Sequence, residues 1–302
     1  MNSESATTNS VSCIVPVYND SVGVSNTLQS LSQQTLIGYE VLAVDNGSTD
    51  DTRGVIHRYA KRNDTIHLLV EDRIQGSYAA RNKGIKHAQT DILAFLDADE
   101  TVDEDWLETA VEAMNEQGVD YLGCKVELTA SEETLIGRYN AHTGFPVKQY
   151  LEQEQYAPTC ALLVRREVFD NIGPFDARLI SGGDREFGER VHEAGYKQGY
   201  SADATVHHPA RVTFRSLAKK NVRVGRGFCQ KQRYYPHRYG HPGIPPSPNG
   251  QSHANEENES QSVGMRLVFA FLSFVMLTFR GIGYYYEFLF GEDREDTPAA
   301  TN

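Results

Sequence analysis

Two carboxylates that follow a short apolar run are the residues in this sequence best placed to do chemistry. The run at residues 92–96 is bounded by polar residues and predicts a buried strand. Asp97 and Asp99 are two residues apart, so in an extended segment their side chains point the same way. Two close carboxylates repel each other unless a positive charge lies between them, and a divalent cation with oxygen ligands suits that position. An acidic turn without a ligand is the alternative interpretation.

The elements around this turn predict an α/β fold. Apolar strands are expected at 11–17, 40–44, 66–70 and 91–96, with helices between them. This alternation predicts a parallel sheet with right-handed crossovers, and open sheets of that kind bind ligands beyond the carboxyl ends of their strands. Neither GxGxxG nor GxxxxGK[ST] occurs, so neither glycine-rich loop holds the ligand.

The composition argues against a nucleic-acid-binding protein and against a disulfide-bonded one. A net charge of −12 over 302 residues argues against a nucleic-acid-binding protein. The four cysteines are widely scattered and form no CxxC pair, so we expect reduced, mostly buried thiols in a cytoplasmic setting. The first residues have neither a basic start nor an apolar core, and we therefore expect no signal peptide.

The later part of the chain separates its charges. No acidic residue occurs from Ala204 to Asn255, whereas Arg215, Lys219, Arg223 and Arg226 follow helical spacing. We expect an amphipathic basic helix, suited to an anionic membrane surface or to a phosphate-bearing ligand. A solvated basic face is the alternative.

An apolar run follows at residues 267–279, shorter than the roughly 20 residues that a membrane-spanning helix needs. We interpret segment 263–290 as a membrane-embedded or re-entrant helix, with a buried core helix and a genuine span as alternatives. The predicted organisation is a polar tail at 1–10, an α/β domain at 11–235, a flexible linker at 236–262, the apolar segment at 263–290 and an acidic tail at 291–302.

Five motifs in order resemble the inverting glycosyltransferases of family 2. They are VPVYN at 15–19, VDNGSTD at 44–50, ARNKGI at 80–85, FLDAD at 95–99 with DWL at 105–107, and GDRE at 183–186 with a later arginine. The match extends over residues 11–230. The resemblance implies the GT-A nucleotide-sugar fold, with a mostly parallel central sheet flanked by helices. The apolar segment then forms a C-terminal membrane-associated helical extension.

The resemblance also implies roles for single residues on the donor side. Asp99 and His208 would hold a Mn²⁺ or Mg²⁺ ion that stabilises the charge on the departing diphosphate. Asp97 would face the ribose or a metal-bound water, and Asp45 would accept hydrogen bonds from the nucleotide base. The other residues expected to bind the nucleotide are Pro16, Tyr18, Asn19 and Arg81.

On the acceptor side, the resemblance makes Asp184 the general base that removes the proton of the attacking hydroxyl. Attack from the face opposite the diphosphate inverts the anomeric centre. Gly183 stands where the family has a glutamate, and Glu186 is close enough to be the alternative base. His207 is the alternative to His208.

These residues predict a metal-dependent inverting glycosyltransferase at the cytoplasmic face of a membrane. We expect a UDP- or GDP-linked donor and an acceptor glycan on a polyprenyl or dolichol phosphate. Such an activity is similar to that of family members that build surface or N-linked glycans in archaea and bacteria. A soluble transferase acting on protein or polysaccharide, and a nucleotide-sugar binding module without catalysis, are the alternatives.

Overall fold

The computed structural model describes residues 10–130, 133–246 and 262–294. In these ranges the strands are β1 (Val11–Val17), β2 (Tyr39–Asp45), β3 (Ile66–Val70), β4 (Ile92–Phe95), β5 (Thr101–Val102), β6 (Tyr121–Thr129), β7 (Leu162–Arg165) and β8 (Gln198–Pro209). The helices are α1 (Ser21–Leu31), α2 (Thr52–Ala60), α3 (Ser77–His87), α4 (Trp106–Gln117), α5 (Leu135–Thr143), α6 (Val147–Glu154), α7 (Arg166–Ile172), α8 (Gly183–Glu193), α9 (Phe214–Tyr234), α10 (Pro236–Tyr239) and α11 (Val263–Phe290).

The strands form one mixed sheet in the order β3-β2-β1-β4-β7-β6-β8-β5. The first four are parallel to one another, as the sequence predicts. Beyond β4 the sheet is mixed, because β7 is antiparallel to both β4 and β6 while β8 is parallel to β6. The α/β prediction is confirmed, and the carboxyl ends of β1, β2 and β4 meet at one edge.

Both faces of the sheet are covered by helices, because successive side chains of a strand point to opposite faces. In β1, Cys13 and Val15 belong to the same core cluster as Leu28 of α1. Ile14, between them, belongs to the cluster that includes Ile85 of α3. The four cysteines are buried and form no disulfide. The sheet edge that carries the predicted site is thus held from both sides.

The C-terminal helix α11 packs along α9. The helices approach so closely that a Cβ at Gly225 would lie 1.9 Å from the carbonyl oxygen of Arg280. The buried Glu287 accepts hydrogen bonds from Arg226 at 2.7 Å and Gln230 at 2.9 Å. These contacts attach the apolar segment to the domain that precedes it.

Several predicted segments lie partly outside the described residues. The polar tail has only residue 10 described, and the acidic tail is described only at 291–294. The predicted linker begins with the short helix α10, and its residues 247–261 are not described. The predicted domain boundaries stay predictions.

Candidate active site

A cavity of about 480 Å³ opens at the carboxyl ends of β1 and β4. It is bounded by the amino-terminal turns of α3 and α8 and by one face of α9. Seven of the nine predicted site residues line it: Pro16, Tyr18, Arg81, Asp97, Asp99, Asp184 and His208. The fold therefore brings together residues that are up to 192 positions apart in the chain, from Pro16 to His208.

The two carboxylates after β4 have different surroundings. Asp97 accepts a hydrogen bond from the buried guanidinium of Arg81, and its own N–H donates to Glu100 at 2.7 Å. Asp99 has no ion pair among the described residues. Burial raises the pKa of Asp99, the Asp97 carboxylate adds to this, and His208 lowers it. A bound cation would therefore stabilise the ionised form of Asp99 more than that of Asp97, which Arg81 already neutralises.

His208 has a ring nitrogen available for a ligand. Its Nδ1 lies 2.9 Å from the carbonyl oxygen of Pro209, which can only accept, so Nδ1 donates this hydrogen bond. In the neutral ring the lone pair is then on Nε2, which lies 3.9 Å from the carboxylate of the buried Glu100. His207 does not line the cavity, and its Nε2 lies 3.4 Å from Asp103. Of the two histidines, the structure places His208 at the cavity.

The donor atoms fit a metal whose coordination is completed by its substrate. No three His, Cys, Asp or Glu side chains converge on a metal position in the part of the chain that the structure describes. Asp99 and the lone pair of His208 would supply two ligands, and carboxylate oxygen suits Mn²⁺ and Mg²⁺. The observation that supports this fit is that the Asp99 carboxylate lines the cavity and has no cationic partner within 4.0 Å among the described residues.

Asp184 lies in the first turn of α8, where two backbone N–H groups are fixed by Tyr78. The N–H groups of Gly183 and Asp184 donate to the Tyr78 hydroxyl at 2.9 and 3.2 Å. Burial raises the pKa of Asp184, while the N–H of Arg185 and the charge of Lys231 lower it. A half-buried carboxylate that lines the cavity and has a raised pKa is suited to accept a proton.

Glu186 is not available as the alternative base. It is fully buried and accepts hydrogen bonds from Arg190 at 2.7 and 3.1 Å. It does not line the cavity, whereas Asp184 does.

The structure explains why position 183 is a glycine. A Cβ on Gly183 would lie 2.8 Å from the ring of Tyr78. The Tyr78 ring therefore occupies the space that a larger side chain at 183 would need, and its hydroxyl holds the start of α8. Sequence reasoning missed Tyr78, because the two residues are 105 positions apart and no local pattern joins them.

Two predicted nucleotide-binding residues do not line the cavity. Asp45 is fully buried and accepts two hydrogen bonds from Arg53, at 3.0 and 2.6 Å. Asn19 accepts a hydrogen bond from the N–H of Thr49 at 2.8 Å and so joins the loops after β1 and β2. Their proposed contacts with a nucleotide stay predictions.

The basic helix α9 presents to the cavity a different set of cations from the one that spacing suggested. Of the four predicted residues, Arg223 lines the cavity, whereas Arg226 pairs with Glu287. Lys220 and Lys231 line it as well, and burial lowers the pKa of each to about 8. Cavity residues to which the sequence analysis assigned no role also include Asp20, Phe145, Tyr150, Tyr156 and Cys160.

The known sequences that this chain resembles are described as glycosyltransferases. The family model described as glycosyl transferase family 2 matches residues 12–175. Glycosyltransferase AglE from Haloferax volcanii is 41% identical over 223 residues, which cover 73% of this chain and 73% of that protein. The pre-mycofactocin glycosyltransferase of Mycobacterium tuberculosis is 29% identical over 223 residues, covering 70% of this chain and 45% of that protein.

Solved structures share the fold. A mannosyltransferase from Pyrobaculum calidifontis, in complex with GDP-Man and Mn²⁺, superposes with a TM-score of 0.63 at 18% identity, covering 94% of this chain and 88% of that one. S. aureus TarS 1-349 in complex with UDP superposes with a TM-score of 0.53 at 19% identity, covering 76% of this chain and 74% of that one.

Proposed function

Because this chain belongs to glycosyl transferase family 2, we propose that it is a metal-dependent inverting enzyme that moves a sugar from a nucleotide donor to a lipid-phosphate-linked glycan. The observation that carries this proposal is that Asp99 and Asp184 face one cavity from different parts of the fold. The solved relatives bound to GDP-Man with Mn²⁺ and to UDP support a nucleotide-sugar donor and a divalent ion.

On the donor side, the residues of β4 and α3 prepare a place for the diphosphate. Arg81 neutralises Asp97 and fixes its orientation, so the loop after β4 presents Asp99 to the cavity. Asp99 and His208 would hold a Mn²⁺ or Mg²⁺ ion, which when bound supplies Lewis-acid stabilisation of the leaving diphosphate.

On the acceptor side, Asp184 takes the proton of the attacking hydroxyl on its carboxylate oxygen. Tyr78 fixes the backbone of Asp184, so that the carboxylate is held in place before the acceptor binds. Attack from the side of Asp184, with the diphosphate leaving on the other side, inverts the anomeric configuration.

The outer side of α11 favours contact with a membrane. Among the described residues, α11 is the one helix long and apolar enough to cross a bilayer, by length and composition alone. Its inner side is attached to α9 by Glu287 and to α5 by the hydrogen bond between Tyr139 and Ser273, at 3.0 Å. Phe271 and Phe274 on the outer side are 65% and 64% exposed. We therefore propose that α11 lies in the membrane surface and holds the cavity at the cytoplasmic face.

The proposal is tested by incubating the purified full chain in detergent with a panel of UDP- and GDP-sugars. Polyprenyl-phosphate-linked, protein and polysaccharide acceptors are supplied in parallel, and products are identified by mass. We expect a lipid product heavier by one sugar, lost in EDTA and restored by Mn²⁺. Full activity in EDTA would contradict the metal role, and transfer to soluble acceptors alone would contradict the lipid-linked acceptor.

A further inference from the structure

The cavity has more positive charge than its proposed donor requires. Seven arginine or lysine side chains and five aspartate or glutamate side chains line it, in a chain whose net charge is −12. A divalent ion offsets the charge of the donor's diphosphate, so a bound donor with its metal leaves the excess of cations unchanged.

Ion pairs within the protein do not neutralise the excess positive charge of the cavity. Arg81 pairs with Asp97, and Arg185 pairs with Glu154 and Glu189. The other five cations of the cavity have no carboxylate within 4.0 Å among the described residues: Arg211, Lys220, Arg223, Lys231 and Arg280.

Four of these five repel one another. Burial lowers the pKa of Lys220 to about 8, and the charges of Arg211, Arg223 and Arg280 contribute. Arg280 donates to Asn221 at 3.1 Å, but its buried Nε has no hydrogen-bond partner in the described part of the chain. Cations that line one cavity without counter-charges repel one another, and an anion bound between them would relieve that repulsion.

The group lies next to the proposed metal ligand. The Nζ of Lys220 is 5.0 Å from the ring centroid of Phe145, and that ring packs on His208 with centroids 5.2 Å apart. The negative charge of Asp99 raises the pKa of Arg211, in opposition to the effect of burial, so the two side chains interact electrostatically. An anion bound by this group would therefore lie beside the donor diphosphate, within the cavity where transfer takes place.

We propose that Arg211, Lys220, Arg223 and Arg280 form a second anion subsite, which binds a phosphate or carboxylate carried by the acceptor or by the transferred sugar. The subsite rests on the proposed function, since it assumes that the donor diphosphate is held at Asp99. Guanidinium groups suit both anions, because they donate two parallel hydrogen bonds to an oxyanion.

The subsite is tested by calorimetric titration of the full chain in detergent, saturated with Mn²⁺ and UDP or GDP. The probes are geranyl phosphate with geraniol as its neutral counterpart, and glucuronate with methyl glucoside as its neutral counterpart. Lys220→Met and Arg223→Met are compared with Lys219→Met, a change of an exposed lysine on the same helix that does not line the cavity.

We expect an anionic probe to bind more tightly than its neutral counterpart. Each cavity variant should weaken that binding by about ten-fold or more, while changing nucleotide affinity less than about two-fold. Binding of geranyl phosphate assigns the subsite to an acceptor phosphate, and binding of glucuronate assigns it to an acidic sugar.

Equal affinity for charged and neutral probes would overturn the subsite. So would variants that weaken nucleotide and probe alike, because the cations would then belong to the donor site. A wild-type chain that binds no nucleotide with Mn²⁺ would instead contradict the proposed function itself.

Discussion

Asp184 is the residue whose protonation controls the proposed transfer. Its carboxylate is half-buried and lines the cavity, and only the ionised form accepts a proton from the acceptor. Burial raises its pKa, while Lys231 acts in the opposite direction. Lys231 itself is almost fully buried and lies over the ring of Tyr239, 4.8 Å from its centroid. The positive charge of Lys231 therefore favours the reactive form of the base.

The pH profile tests this electrostatic relation. The rate should fall as the pH drops through the raised pKa of Asp184, because the base becomes protonated. Lys231→Met removes a charge that lowers this pKa, so the acidic limb of kcat against pH should move to higher pH. Lys219→Met is the control and should leave the limb unchanged. Coincident limbs for wild type and Lys231→Met would contradict the assignment.

At this scale, residues within contiguous motifs were predictable and those defined by distant contacts were not. Asp97, Asp99 and Asp184 were found because short motifs place them at the end of a strand or the start of a helix. The roles of Tyr78 and Lys220 depend on contacts with residues far along the chain, which no spacing encodes. The pairing of Asp45 with an arginine eight residues later also depends on the folded loop.

The packing of α11 on α9 is the feature that joins the cavity wall to the apolar segment. Gly225 and Gly283 allow the two backbones to meet, since a Cβ at either would lie within 2.0 Å of a carbonyl oxygen on the other helix. Lys220 and Arg223 of α9 line the cavity, so displacement of α11 would also move the proposed anion subsite.

A pair of glycine substitutions tests this crossing. Gly225→Ala should lower the free energy of unfolding by about 1–3 kcal/mol, because its Cβ overlaps the carbonyl of Arg280. Gly281→Ala, on α11 with no atom within 4 Å of its Cβ, should raise it by about 0.5–1 kcal/mol through helix propensity. Denaturant unfolding in detergent measures both. Equal stability of the two variants would contradict the tight crossing.

Elements with strong periodicity were predictable and short, context-dependent ones were not. The parallel half of the sheet follows from apolar runs alternating with helices. The strand β5 has two residues directly after an acidic turn, too few to show a period. Helices α5 and α6 lie in a stretch to which no pattern could be assigned, and they are defined by packing on α11 and β6.

The whole molecule combines a charged cavity with an apolar outer helix. Lys220, Arg223 and Lys231 of α9 line the cavity, and α11 packs along α9 and exposes phenylalanines. This arrangement suits an enzyme whose acceptor has a membrane-bound lipid and a polar head that must reach a water-filled site.

Liposome flotation tests the membrane contact. The full chain should float with vesicles that contain anionic lipid. Phe271→Ser with Phe274→Ser should reduce bound protein by about ten-fold or more, because two exposed phenylalanines no longer enter the bilayer. Ile37→Ser is the control, since Ile37 is 88% exposed and lies outside α11. Equal flotation of the double variant and wild type would exclude this face as the membrane contact.

The most direct test of the account is the Asp184→Asn variant, measured for transfer and for nucleotide binding in the same preparation. Asparagine keeps the shape of the side chain but does not accept a proton, so the rate of sugar transfer should fall by about 10²–10⁴-fold. Affinity for the nucleotide with Mn²⁺ should stay within about two-fold of wild type, because Asp99 and Arg81 are intact. Transfer by Asp184→Asn at the wild-type rate would contradict the account.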